Sequence, residues 1–267
     1  MTPPRDQIDL IASVTYDIQP LDQKSKAGMY LLIRDDDSPI DEDAIWVGVR
    51  TFGRPKFKFK LSDHEFIKQL LKPRIRYWLD AAFVAGSIKG RTIRGYAFDV
   101  GASYIARKLP FSPYVTLAYA HGSGDSHPTT GTDHNFRQTG FHSNSGKFGG
   151  VVNFDYYGIL FDPELSNLRI FTAGFGLRPL PRTSIDIVYH RYAQNSLATT
   201  LRATDVGGKL TGTNKTLGDE IDLIFGVRVI QNLRMRLRSG YFIPGPAFAT
   251  ATNDPAFESR LDVLFSF

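Results

Sequence analysis

The chain has 267 residues, 42% of them apolar, with 32 Lys plus Arg against 27 Asp plus Glu, a net charge of +5 and no cysteine. That length suits one large β domain or two small ones, and the cysteine count excludes a disulfide framework or a thiolate site. No run approaches the roughly 18 apolar residues of a membrane helix, so helical spanning is excluded. The basic excess is spread over alternating segments, unlike a nucleic-acid binder's helix or tail, so no nucleic-acid partner is expected.

Met1 to Arg5 lead directly into a strand pattern, with no charged-then-apolar export leader. An outer-membrane protein needs such a leader. The sequence alone therefore suggests either that it has been removed or, as the favoured reading, that this is the C-terminal part of something longer.

Side chains of a strand alternate between two faces. From Asp9 to Ile18, Leu10, Val14, Tyr16 and Ile18 oppose Asp9, Ser13, Thr15 and Asp17. Gly28 to Arg34 and Ala44 to Thr51 flank an acidic turn, Asp35 to Asp43. Lys56, Lys58 and Lys60 alternate with Phe57, Phe59 and Leu61, and Asp63 to Leu71 reads as a short amphipathic loop helix. From Arg74 to Gly86, Ile75, Tyr77, Leu79 and Phe83 are expected to face lipid, and Arg74, Arg76, Asp80 and Ala82 the lumen. From Arg94 to Arg107, Tyr96, Phe98, Val100 and Tyr104 lie outside, with Asp99, Gly101 and Ser103 inside.

Tyr114 to Ala120 follows a Pro-rich turn and precedes a polar loop from His121 to about Gly146. Strands are expected at Lys147 to Leu160, Leu168 to Leu177 and Ser184 to Tyr192, with a second long loop from Asn195 to Thr216. From Asp219 to Ile230, Ile221, Leu223, Phe225 and Val227 oppose Glu220, Asp222, Gly226 and Arg228. The next segment is the most telling. Leu233, Met235, Leu237 and Tyr241 share one face, and Arg234, Arg236 and Arg238 the other. Three successive arginines cannot be a soluble core, and an ordinary wet face seldom backs so clean an apolar stripe. A Pro/Gly-rich loop, Pro244 to Pro255, leads to a last strand, Phe257 to Phe267. There Leu261, Val263, Phe265 and Phe267 oppose Arg260, Asp262 and Ser266.

Many segments reach the roughly 9–11 residues of a tilted spanning strand. The 20 Phe and 12 Tyr suit aromatic girdles. The pattern is all-β: a single-domain, antiparallel up-and-down transmembrane β-barrel of about twelve strands in the bacterial outer membrane, surrounded by lipid.

Several of these stretches resemble the alginate-export family of outer-membrane porins. They are Arg94-Gly-Tyr-Ala-Phe-Asp-Val-Gly101, Tyr119-Ala-His-Gly-Ser-Gly-Asp125, Asn135-Phe-Arg-Gln-Thr-Gly140, Gly218-Asp-Glu-Ile-Asp-Leu223, Arg236 to Gly245 and Leu261 to Phe267. They cover about Arg74 to Phe267 in the family's order. The resemblance implies a monomeric barrel of about 18 strands whose arginine-lined pore exports an anionic polyuronate with periplasmic secretion proteins. It places Arg236, Arg238 and Asp262 in the constriction, with Arg137 of the Phe-Arg-Gln-Thr-Gly motif as a further member. The chain is too short for all the family's strands, so its N-terminal ones are expected to be absent.

The expected pore-lining set is thus Arg236, Arg238, Arg234, Arg137, Arg74, Arg76, Arg228, Asp262, Asp222, Asp99 and Asp80. The acids either hold neighbouring arginines upright, the commoner role for enclosed charge, or tune the pore's net charge. His121, His127, His134 and His142 share a loop with Asp125 and Asp133, but their spacing matches no standard metal motif, so neither metal nor cofactor is expected. His142 and Ser143 are adjacent and point apart on a strand, and no Gly-x-Ser-x-Gly elbow occurs, so an enzyme is not expected. A general diffusion porin for small anions is the alternative to polymer export.

Overall fold

A computed structural model describes residues 7–18, 25–37, 41–55, 74–129, 131–141, 144–146, 149–202 and 204–265. The alternation of Lys56 to Leu61, the helix expected over Asp63 to Leu71, His142, Ser143, Ser266 and Phe267 lie outside them.

The described residues form one antiparallel meander. Its first six strands are β1 (Gln7–Asp17), β2 (Lys26–Asp36), β3 (Glu42–Gly53), β4 (Arg74–Ile88), β5 (Arg91–Ile105) and β6 (Tyr114–Gly122). Three two-residue pieces follow: β7 (Thr132–Asp133), β8 (Ser145–Gly146) and β9 (Phe154–Asp155). The wall then resumes with β10 (Leu168–Leu177), β11 (Thr183–Gln194), β12 (Thr216–Arg228), β13 (Leu233–Pro244) and β14 (Ala256–Phe265). Each long strand pairs with the next, β6 pairs directly with β10, and β7 lies parallel to β5. The wall therefore has eleven long strands among the described residues. Neither β1 nor β14 pairs with the other. Most residues of both are exposed on both faces, as unpartnered edges must be.

The alternation works as a two-solvent wall. Val47, Phe83, Leu117, Ile187, Leu223 and Tyr241 are exposed on the outward face, while Trp46, Val84, Ile170, Tyr192, Ile224 and Phe242 are buried on the inward one. A soluble sheet buries its greasy face; this one displays it, as hydrocarbon contact requires.

One expected strand is absent. Among the described residues from 149 to 160, only Phe154–Asp155 is extended and paired, with Ser145–Gly146. Instead, the described residues of 131–141 and 149–167 pack against the inward face. Phe136, Tyr157, Leu160 and Phe161 join Trp46, Tyr192, Phe242 and Phe248 in the main apolar core. The expected strand fails because its apolar side chains find that core and its backbone donors find side-chain acceptors, so no ladder is needed. His121, expected to open the loop, lies within β6. The loop is also less solvated than its polarity suggests: His127 and His134 are exposed, but Asp125, Asp133 and Arg137 are buried.

Candidate functional site

The inward face divides into three zones along the strands. At the end where 106–113, 178–182 and 229–232 turn, it is strongly cationic. Arg228 and Arg234 are register partners on β12 and β13. On β4, Arg74 and Arg76 share the inward side with Trp78 and Asp80. The charges acting on Arg76 include those of Arg54, Arg74, Arg178 and Arg107.

The middle zone carries ion pairs that are short but partly wet. Arg236 Nη2 lies 2.9 Å from Asp262 Oδ2, and Arg238 Nη2 lies 3.2 Å from the same oxygen. Arg260 Nε approaches the other oxygen at 3.5 Å. Arg238 also pairs with Asp155 of the inward loop at 2.5 Å, and Arg236 donates to the Asn153 carbonyl at 3.3 Å. One carboxylate thus serves three guanidinium groups, which leaves the zone net positive. Across the face, Arg50 pairs with Asp80, which also accepts from Tyr30 Oη at 3.0 Å. A groove of about 1150 Å³ runs along this side, lined among others by Tyr30, Arg50, Arg76, Trp78, Asp80 and Asp99.

The third zone, under the long loops, is closed by a strap, residues 149–161. Its anchor is Glu220, which is fully enclosed. Glu220 Oε1 accepts the amides of Ile159 and Leu160, both at 2.8 Å, and Oε2 accepts that of Phe161 at 3.0 Å. Tyr192 Oη donates to Oε2 at 3.0 Å and also to the Tyr157 carbonyl at 2.8 Å. Gly158 makes the bend possible: its φ is +101°, and a Cβ there would collide with Tyr192 Oη and Glu220. A hydrogen bond contributes about 0.5–1.5 kcal/mol net, and four converge on this one carboxyl, so the cradle holds the strap firmly. Phe154 stacks on His190, Tyr156 on Trp78, and Tyr157 Oη donates to Asp99 at 3.0 Å.

All eleven sequence-predicted residues lie on the inward wall or on its inner loop, but they do not form one cluster. Arg228, Arg234, Arg236, Arg238 and Asp262 come together, as do Asp80 and Asp99 opposite Arg76 along the groove. Asp222 is fully buried 3.4 Å from His190 Nε2, away from any solvated path. Asp99 accepts from Trp78 Nε1 at 2.9 Å as well as from Tyr157, so its hydrogen-bond donors are aromatic residues and not arginines. Arg137 is nearly enclosed and tied to Asp133 at 2.9 Å. Burial alone would raise the Asp133 carboxyl, but the Asn135 amide and the Arg137 guanidinium outweigh it and hold it below its ordinary value. The Arg137 carbonyl in turn accepts from Trp46 Nε1 at 2.8 Å. Arg137 therefore fixes the loop to β3. Sequence reasoning missed Arg50, Asp155 and the role of Glu220. Arg50 was readable from its inward parity with Trp46, and Glu220 from its place beside Asp222 on the inward row of β12.

An outward hydrocarbon face backed by a charged inward one defines a segment of an outer-membrane β-barrel wall. The family described as Alginate export matches residues 5–259, and the chain belongs to it. The chain is 28% identical over 168 residues to the alginate production protein AlgE of Pseudomonas aeruginosa strain PAO1, covering 57% of this chain and 33% of that one. It is 27% identical over 181 residues to AlgE of Azotobacter vinelandii, covering 57% of this chain and 36% of that one. The chain thus spans about a third of the length of the curated relatives it matches. The crystal structure of Pseudomonas aeruginosa OccK11 (OpdR) superposes with a TM-score of 0.54 at 14% identity, over 96% of this chain and 57% of that chain, which bears on the fold alone.

Proposed function

We propose that this chain forms part of the wall of a passive outer-membrane channel for an anionic polyuronate such as alginate, and that it is not an enzyme. The observation that carries the reading is the inward row Arg228, Arg234, Arg236 and Arg238, four guanidinium groups for which Asp262 and Asp155 are the carboxylates within ion-pair distance among the described residues. Guanidinium stays charged at any relevant pH, and its planar fork matches a carboxylate. Partly exposed pairs contribute only about 0.2–1 kcal/mol each, so a uronate can displace one contact and take the next. Conduction needs that weakness, because a site that binds too tightly does not release. Arg74 and Arg76, on the inward side of β4, extend the field that gathers anions. Family membership supports the polymer and also a monomeric barrel working with periplasmic secretion proteins. The test is a planar-bilayer recording of the complete protein. The currents are expected to be anion-selective and blocked by polymannuronate; equal potassium and chloride currents indifferent to the polymer would remove the reading.

A further inference from the structure

The outward wall carries a second cationic feature, and it lies at the long-loop end. Arg169 is the second residue of β10 and directly opposes His121 on β6; Arg191, near the end of β11, opposes Phe171 on β10. Both point away from the lumen, since their neighbours Ile170 and Tyr192 are buried on the inner face. Arg94 faces outward near the start of β5 on the same side. Beside them lies a shelf of rings: His121 stacks on Tyr96 at 5.6 Å and on Phe98 at 5.2 Å, with Tyr119 packed on Phe98 at 5.9 Å.

These three differ from six inward-facing arginines, though not from Arg228 and Arg234 of the inner wall. Arg34, Arg50, Arg91, Arg137, Arg236 and Arg238 each have a carboxylate within ion-pair distance. Among the described residues, Arg94, Arg169 and Arg191 have none. Arg169 Nη2 donates to the Gln194 carbonyl at 3.0 Å, while its enclosed Nε has no hydrogen-bond partner among the described residues. On β5, β6, β10, β11 and β12 the one outward acid at this level among the described residues is Asp219, the register partner of Arg191, and it already accepts the Tyr189 hydroxyl. Toward the middle of the same strands the surface is Phe175, Ile187 and Leu223, so the guanidinium groups sit where hydrocarbon gives way to headgroups. Arginine on a barrel's lipid face is tolerated at that depth and not at the midplane.

We propose that Arg169 and Arg191, helped by Arg94 and the ring shelf, bind the phosphate of a phosphorylated glycolipid in the outer leaflet. The long loops assign this end to the extracellular side. Phosphate supplies the acceptor that two neighbouring guanidinium groups lack, in the bidentate geometry they favour. The rings take the sugar faces and the first methylenes of the acyl chains, the amphipathic role aromatic girdles play. The inference rests on the sidedness of the wall and not on what passes inside it.

The test is native mass spectrometry of the complete protein in micelles, titrated with a glycolipid carrying two phosphates. Adducts are expected to weaken by about tenfold or more in Arg169→Gln/Arg191→Gln, and in the single variant Arg191→Gln by less, while the inner-wall variant Arg236→Gln binds as the parent does. Glycolipid stripped of phosphate and zwitterionic phosphatidylethanolamine are expected to bind weakly to every form. Retention of the glycolipid by the double variant, equal retention of the dephosphorylated form, or complete displacement by millimolar inorganic phosphate would each overturn the proposal. Loss of binding in Arg236→Gln to the same extent would overturn it too. Heat-modifiable gel mobility identifies a double variant that has not folded, and Arg191→Gln then decides.

Discussion

Arg236 and Leu237 are consecutive, yet one meets Asp262 across an aqueous face and the other meets lipid. Their sidedness was fully legible in the sequence, because a strand permits only two directions and the arginine row occupies one of them. Pair partners were not legible, since they depend on register and on a distant loop: nothing near Arg238 announces Asp155. The contrast gives a residue-scale prediction. Arg236→Glu reverses the local charge and sets two acids side by side, so the permeability ratio of chloride to potassium should fall by about tenfold or more. Leu237→Ala removes only lipid contact and should leave that ratio within about twofold. Reversal-potential measurements on both variants decide it; equal shifts would mean the face assignment fails.

The strands were readable element by element wherever alternation was strict, as in β5, β12 and β13. The reading failed at 147–160, where apolar residues recur at a strand-like spacing but the backbone donors end on Glu220. A period of two reports a flat two-sided environment, and a strap buried against a concave wall imitates it over a few residues. Gly149, Gly150 and Gly158 within that stretch were the available warning. The strap's dependence on one carboxylate makes it testable. Glu220→Ala strands the amides of Ile159, Leu160 and Phe161, each at about 1–3 kcal/mol, and leaves the Tyr192 hydroxyl with the Tyr157 carbonyl alone. The amides of Ile159, Leu160 and Phe161 should then exchange with deuterium at least about a hundredfold faster, while β4 and β5 are unaffected. Unchanged protection at those three amides would show that the strap is held by its apolar contacts alone.

At the scale of the molecule, closed pairing is what lets strands cross a bilayer, and among the described residues β1 and β14 each pair on one side only. Protection from hydrogen exchange in this chain should therefore be graded, slowest in β5 and β11 and fastest along the outer edges of β1 and β14. Uniform protection, read by mass spectrometry of peptides, would mean those edges have found partners. The family could be read from short motifs because they keep their order along the chain, not because their side chains share one environment: Tyr96 and Leu261 within them are exposed, whereas Arg137 and Asp222 are buried. Strand count could not be read so well, because residues 149–161 use wall-like sequence to pack against the inner face. The single carboxylate shared by Arg236, Arg238 and Arg260 has one more implication. In the proposed channel, a wall short of its own counter-ions would borrow them from solution, so at rest it would be stocked with mobile chloride. A polymer threading through would trade places with those ions as on an anion-exchange resin, released entropy would favour its arrival, and concentrated brine would work against it.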